Sequence, residues 1–223
     1  MKNMPTPITE QAKAMAGLWT TFASIAIGVF ALVIALLVFT VIRFRRREEG
    51  LPDQTSYRVR LELTYTMVPL FLVTGLFVAT VRTVEAVDAS IASPDLVVDV
   101  VGFQWQWRFT YPDSGVVVQG EPGMAPELVL PAGASVRFNL ESNDVIHSFW
   151  IPGFLFKRDV IPGSPTSFDV NVSGAPGLYP GGACAEFCGL YHDQMTFSVT
   201  ILDRPGFDRW LESSAQDQGA VRP

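Results

Sequence analysis

With 223 residues the chain has room for one or two domains, and hydrophobic residues make up 48% of it, high for a soluble protein. The formal net charge of −6 is unevenly spread: from Ile91 to the end there are 7 Lys+Arg against 15 Asp+Glu, whereas Arg43 to Arg60 holds 6 Arg against 3 acids. So acidic a C-terminal part excludes a nucleic-acid backbone as partner and suits a basic protein.

Met1 to Gly17 is short and mixed, carries Pro5 and Pro7, lacks a compact basic segment and is read as retained rather than as a leader. Leu18 to Ile42 follows, 25 residues without a charge, and Leu63 to Val81 is a second uncharged run of 19. Each approaches or exceeds the roughly 20 residues that cross a bilayer core. Arg43, Arg45, Arg46 and Arg47 mark the cytoplasmic end of the first span. The spacing therefore predicts a membrane hairpin over 1–90, with helices at 18–42 and 63–81, a polar loop at 43–60, and both termini outside the cytoplasm. Pro69 sits in the second helix, where neighbouring helices can compensate for its missing donor. Glu62 stands at the cytoplasmic mouth of that helix. Ionisable groups at membrane depth mark proton paths, and an interfacial carboxylate facing headgroups is the plainer alternative.

Arg82 to Pro94 reads as a linker, after which the sequence changes character. Short β-branched runs at 95–101, 115–119, 127–131, 135–140, 167–172 and 196–201 are punctuated by Gly and Pro, the pattern of an all-β sandwich or barrel over 91–215. Alternation along Gly102 to Tyr111 predicts one strand with Trp105, Trp107 and Phe109 on one face and Gln104, Gln106 and Arg108 on the other. Phe207 to Ser214 reads as a short helix and 216–223 as a flexible tail.

The densest chemistry lies between Cys184 and Met195. Both cysteines of the chain, one of its two histidines and a methionine fall within twelve residues, and the other histidine, His147, opens the apolar segment His147-Ser148-Phe149-Trp150-Ile151-Pro152. A disulfide is the plain reading of two cysteines outside the cytoplasm, but it leaves His192 and Met195 unexplained. Thiolate and thioether favour copper or zinc. One blue copper needs a single Cys, and a Cys2His2 zinc leaves Met195 idle. Two metal ions sharing two sulfurs use every residue.

Cys184-x3-Cys188-x3-His192-x2-Met195, with His147-Ser-Phe-Trp-Ile-Pro upstream, resembles the binuclear copper A loop of cytochrome c oxidase subunit II, and the resemblance covers nearly the whole chain. It implies a Greek-key cupredoxin domain and two copper ions bridged by both cysteines. The implied ligands are His147, Cys184, the backbone carbonyl of Glu186, Cys188, His192 and Met195. The Glu186 carboxylate would face a magnesium shared with subunit I. Gly102-Phe103-Gln104-Trp105-Gln106-Trp107 is similar to the family's Gly-His-Gln-Trp-x-Trp, with Phe103 in place of His. That makes Trp105 the point where electrons arrive from cytochrome c. Leu61-Glu62-Leu63-Thr64-Tyr65-Thr66 resembles a stretch, with Tyr65 in place of Trp, whose glutamate opens a proton channel of subunit I. Asp144 falls at the place of an acid that docks cytochrome c, and Asp159 at that of one facing subunit I near the magnesium. The spacing before Cys184 is one residue longer than the family's, so Tyr179 receives no role.

The implied function is to take electrons from cytochrome c and pass them to haem in subunit I. There oxygen is reduced to water with proton translocation. Subunits I and III, a cytochrome c and the bilayer are the implied partners, and a bacterial-type plasma membrane the location. A quinol oxidase subunit II would lack the ligands. A nitrous-oxide reductase would carry a large separate domain and no hairpin, and a copper carrier would not need two spans. A fused haem domain is excluded, because the chain has no Cys-x-x-Cys-His.

Overall fold

The computed structural model describes residues 4–45, 57–121 and 123–220. Arg46, Arg47, Gly50 and Pro52 of the expected polar loop lie outside the described residues. Two compact units are present: Gly17–Glu85 forms one, and Met1–Ala16 with Ala86–Pro223 forms the other.

Helix α1 spans Glu10–Arg43 and α2 spans Val59–Val87. Both outrun the uncharged stretches. Thr9 begins α1 early, because its Oγ1 accepts the Ala12 N–H at 3.0 Å and satisfies one of the orphan donors of the first turn. Within the apolar runs the threonine hydroxyls donate to the carbonyl four residues back, as in Thr40 to Leu36 (2.7 Å) and Thr74 to Leu70 (2.8 Å). Polar residues can thus sit in lipid without an unsatisfied donor. Both helices are long and apolar enough to cross a membrane, and none of their most apolar stretch is buried within the chain. Lipid or other subunits must cover them.

The second unit is a sandwich of two five-stranded sheets. Its strands are β1 (Leu96–Phe103), β2 (Gln106–Tyr111), β3 (Val116–Gln119), β4 (Glu127–Pro131), β5 (Ser135–Ser142), β6 (His147–Ile151), β7 (Phe156–Val160), β8 (Thr166–Asn171), β9 (Gly177–Cys184) and β10 (Thr196–Leu202). One sheet has the order β3-β2-β1-β5-β8 and the other β4-β10-β9-β6-β7. The pairs β1–β5 and β4–β10 are parallel, which requires the chain to cross between sheets, and the result is a Greek-key cupredoxin sandwich. Strand β1 alternates buried and half-buried residues along its length, as period-2 patterning demands. Trp107, Phe109, Phe138, Phe149 and Phe197 fill the space between the sheets. Phe149 of β6 stacks on Phe197 of β10, two strands of the same sheet, with centroids 5.1 Å apart.

Three local readings change. The aromatic stretch is a hairpin and not one strand: Phe103 pairs with Gln106, and Gln104 and Trp105 form the turn, joined by a cis peptide bond. Trp107 and Phe109 therefore point into the core, while Trp105 sits at the tip. Helix α3 spans Arg204–Ala220 and takes in residues 216–220, where Gln218 exchanges hydrogen bonds with the backbone of Val117 (Oε1 accepting at 3.1 Å, Nε2 donating at 2.7 Å). Lastly, the N-terminal segment belongs to the β-sandwich unit, with Ile8, Thr9 and Ala12 buried against it.

Candidate metal centre

Three elements converge at one end of the sandwich. His147 is the first residue of β6, Cys184 the last of β9, and Met195 the last before β10. Phe149 pairs with Cys184 across β6 and β9, which fixes His147 beside the start of the loop. The loop from 184 to 195 is closed at its neck by the Cys184 N–H donating to the Met195 carbonyl at 2.9 Å. A short 3-10 turn over His192–Gln194 then brings His192 back over Cys188. Gly189 permits this path: its φ of +122° is disfavoured for other residues, and a Cβ there would lie 3.1 Å from the Trp105 indole nitrogen.

Among the described residues, His147, Cys184 and Cys188 place ligand atoms within 4.8 Å of one another, all three buried. The two Sγ atoms are 3.8 Å apart and both cysteines are free thiols, so the disulfide reading does not hold in this structure. Around Cys184 Sγ lie His147 Nδ1 at 3.8 Å and the Glu186 carbonyl at 3.2 Å. Around Cys188 Sγ lie His192 Nδ1 at 3.6 Å and Met195 Sδ at 3.7 Å. Met195 is fully buried with its sulfur facing the thiols. Two thiols, two imidazoles, a thioether and a carbonyl form a soft donor set that fits copper and would waste Met195 on zinc.

The electrostatics suit a metal that takes thiolates. Burial opposes ionisation of Cys184, but hydrogen bonds with His147, with the backbone of Glu186 and Ser148 and with the Cys188 thiol outweigh it and hold Cys184 at about 6. Cys188 is pushed up to about 12, by burial and then by the negative charge of its neighbour. Thiolate character therefore gathers on Cys184, and a metal binding both sulfurs displaces protons from the pair. Burial disfavours charge on His147, yet its bonds to Cys184 and Asp144 raise its pKa above the usual imidazole value.

A probable cytochrome c oxidase subunit 2 of Streptomyces avermitilis is 36% identical over 253 residues, covering 96% of this chain and 79% of that protein. The chain belongs to the cytochrome c oxidase subunit II family. Cytochrome c oxidase subunit 2 of Corynebacterium glutamicum is 31% identical, with 93% and 74% covered. The family description "Cytochrome C oxidase subunit II, periplasmic domain" matches residues 123–202. The crystal structure of the periplasmic domain of subunit II of cytochrome oxidase from Bradyrhizobium japonicum overlays with a TM-score of 0.52 at 26% identity, over 57% of this chain and 99% of that one. As a subunit II chain with two apolar helices it is a membrane protein, and copper A is the metal expected of its family.

The structure brings six of the nine sequence-predicted site residues of this subunit II together at one centre. Trp105 lies beside them: its indole N–H donates to the Cys188 carbonyl at 3.2 Å, and Tyr191 packs edge-on against its ring at 4.9 Å. Asp144 touches His147, its Oδ1 lying 2.8 Å from Nε2. Glu62 is elsewhere, in the first turn of α2, where its Oε1 accepts the Arg58 N–H at 3.2 Å. The Glu186 carboxylate faces Lys157 at 3.8 Å, and Lys157 in turn holds Asp159 at 2.5 Å.

Sequence reasoning passed over Gln104, whose Nε2 donates to the same Cys188 carbonyl at 2.7 Å. It also treated Trp107 as core alone, although its indole N–H reaches the Met195 carbonyl at 3.4 Å and its ring packs edge-on to His147 at 6.0 Å. Nothing in a lone Gln carries such a signal.

Proposed function

We propose that this chain is the electron-accepting subunit of a haem-copper cytochrome c oxidase, with His147, Cys184, the Glu186 carbonyl, Cys188, His192 and Met195 holding two copper ions. The observation that carries the reading is the arrangement of the donors: two free, buried thiols 3.8 Å apart, each flanked by two further ligand atoms of its own. When bound, two copper ions sharing two sulfurs supply a one-electron relay between cytochrome c and the haem of subunit I.

The chain's residues do the rest. Cys184 and Cys188, both buried, would hold the copper as thiolates. Met195, fully buried, holds its thioether 3.7 Å from the Cys188 sulfur. Trp105 receives the electron at the surface, and its N–H bond to the Cys188 carbonyl gives a short covalent and hydrogen-bonded path inward. The Glu186 carbonyl faces the Cys184 thiol, while its carboxylate, beside Lys157, would be free to hold a magnesium shared with subunit I. Asp159 belongs to that same outward face, and subunit III completes the assembly. Glu62, at a helix mouth, supplies a proton-uptake group.

The β-sandwich and both termini lie outside the cytoplasm of a bacterial-type plasma membrane. The packing of Ile8 and Thr9 on the sandwich and the even number of spans between support a common side for both, and the arginines that follow the first apolar run support which side it is. The test is the full chain purified in detergent and loaded with copper. Two coppers per chain and a mixed-valence EPR signal delocalised over both are expected, with reduction by cytochrome c slowed in Trp105→Phe. One copper per chain, or a Cys184–Cys188 disulfide persisting in the loaded protein, overturns the binuclear assignment.

A further inference from the structure

An acid that only steers a partner keeps its charge free in water. Asp144 does not. Its Oδ1 lies 2.8 Å from His147 Nε2 and accepts the Val145 N–H at 2.6 Å, and its Oδ2 accepts the Gln104 N–H at 2.7 Å. Only 30% of its side chain remains accessible. The three bonds reach two separate pieces of chain. His147 begins β6, and Gln104 stands in the β1–β2 turn, forty residues back, with Trp105 next to it. That turn is bound a second time, through Gln104 Nε2 and Trp105 Nε1, to the Cys188 carbonyl.

A carboxylate can only accept, so Nε2 of His147 carries a hydrogen, and a metal that displaces the proton between Nδ1 and Cys184 Sγ, 3.8 Å away, would meet the Nδ1 lone pair. The ring cannot turn to escape this setting. It is fully buried, Trp107 packs on one side, and a Cβ on Gly102 would already stand 3.1 Å from His147 Cδ2.

We infer that Asp144 is a positioning residue: one carboxylate sets the tautomer and direction of His147 and, through the Gln104 N–H, holds the Trp105 turn in register with the copper loop. The electron-receiving ring and the metal ligand are thereby tied to the same side chain. The inference rests on the copper reading for its consequence, while the tie itself is independent of it.

The experiment compares Asp144→Ala and Asp144→Asn with the parent full chain in detergent. Hydrogen exchange at the Gln104 amide, measured without copper, is expected to speed up in Ala and, less so, in Asn. Retention of copper against a chelator should fall about 10- to 100-fold in Ala, as for other groups that orient a metal-bound imidazole. The EPR hyperfine pattern should shift, and neither effect should depend on salt. A purely docking acid gives the opposite result: parent-like exchange, retention and EPR in both variants, and a raised KM for cytochrome c that is largest at low salt. That outcome overturns the proposal. Should Ala fail to fold, the same readouts on Asn decide. If no chain binds copper, the Gln104 exchange still tests the tie, and the copper reading fails separately.

Discussion

Asp169 shows at residue scale how a charge is kept in a β-sandwich. It is buried, and Arg137 grips it with two bonds, Nε to Oδ1 at 2.7 Å and Nη2 to Oδ2 at 2.6 Å. The same carboxylate accepts the Ile91 N–H at 2.5 Å while Arg137 donates to the Ile91 carbonyl at 2.7 Å. Two facing residues of β5 and β8 therefore anchor the segment that leads out of α2. The Arg137 guanidinium holds the Asp169 carboxyl below the ordinary carboxylate range, with burial opposing. Because the folded pKa is depressed, the stabilisation is complete above the unfolded value of about 3.9 and is lost as pH falls through the folded value. Asp169→Asn should lower the unfolding midpoint at pH 7 by roughly 5–10 °C. Its deficit should shrink as pH drops from 5 toward 3. A constant deficit across that range in a thermal scan would show that the pair contributes no charge-dependent stability.

At the scale of elements, the segment before α1 acts as an added edge to the sandwich. The Ile8 N–H donates to Gly153 at 3.0 Å, its carbonyl accepts from Ser173 at 2.8 Å and Gly174 at 3.0 Å, and Thr9 bridges Val172. Gly153 leaves room for the Ile8 side chain, since a Cβ there would stand 2.9 Å from Ile8 Cγ1. Ile8→Ala should cost about 2–4 kcal/mol, the usual consequence of emptying a buried aliphatic site. The loss is read as a lower melting point in near-UV circular dichroism of the detergent-solubilised chain. Parent-like melting would mean that the segment detaches in solution. The β9–β10 pair shows the same economy of space: Gly182 lies under the Phe197 ring, where a Cβ would stand 2.0 Å from its Cζ, and the strand pairing slips between Phe197 and Val199. A bulge of this kind lets β9 deliver Cys184 to the loop neck.

For the whole molecule, charge and hydropathy divide the work. The acidic residues gather from Ile91 onward, while the stretch from 43 to 60 is rich in arginine, so the two parts of the chain carry opposite charge. On the proposed reading Glu62 takes up protons and has no part in holding copper, so its substitution should separate the two. Gln at this position keeps the oxygen that accepts the Arg58 N–H and removes the ionisable proton. In proteoliposomes of the assembled oxidase, Glu62→Gln should slow oxygen turnover roughly tenfold with copper content unchanged. Turnover equal to the parent from pH 6 to 9 would leave Glu62 as a helix cap alone.

The sequence by itself determined whatever depends on neighbours along the chain. Cys184, Cys188, His192 and Met195 are ligand types at short spacings within one loop. The two apolar runs declare themselves by length, and six of the ten strands are β-branched runs between Gly and Pro. The remaining features depend on partners far away in sequence. β6, β7 and β9 went unread because β9 is Gly-Leu-Tyr-Pro-Gly-Gly-Ala-Cys, a poor strand former that is extended only because β10 and β6 pair with it. The hairpin tip at Gln104 and Trp105 breaks an alternation that looked continuous. Asp144 read as a docking acid, since its partner Gln104 lies in the β1–β2 turn, forty residues back. His147 shows the division most directly. Its chemistry is evident from residue type, but its burial, its tautomer and its distance to Cys184 exist only once two sheets have packed and a carboxylate from the adjoining loop has taken its outer nitrogen.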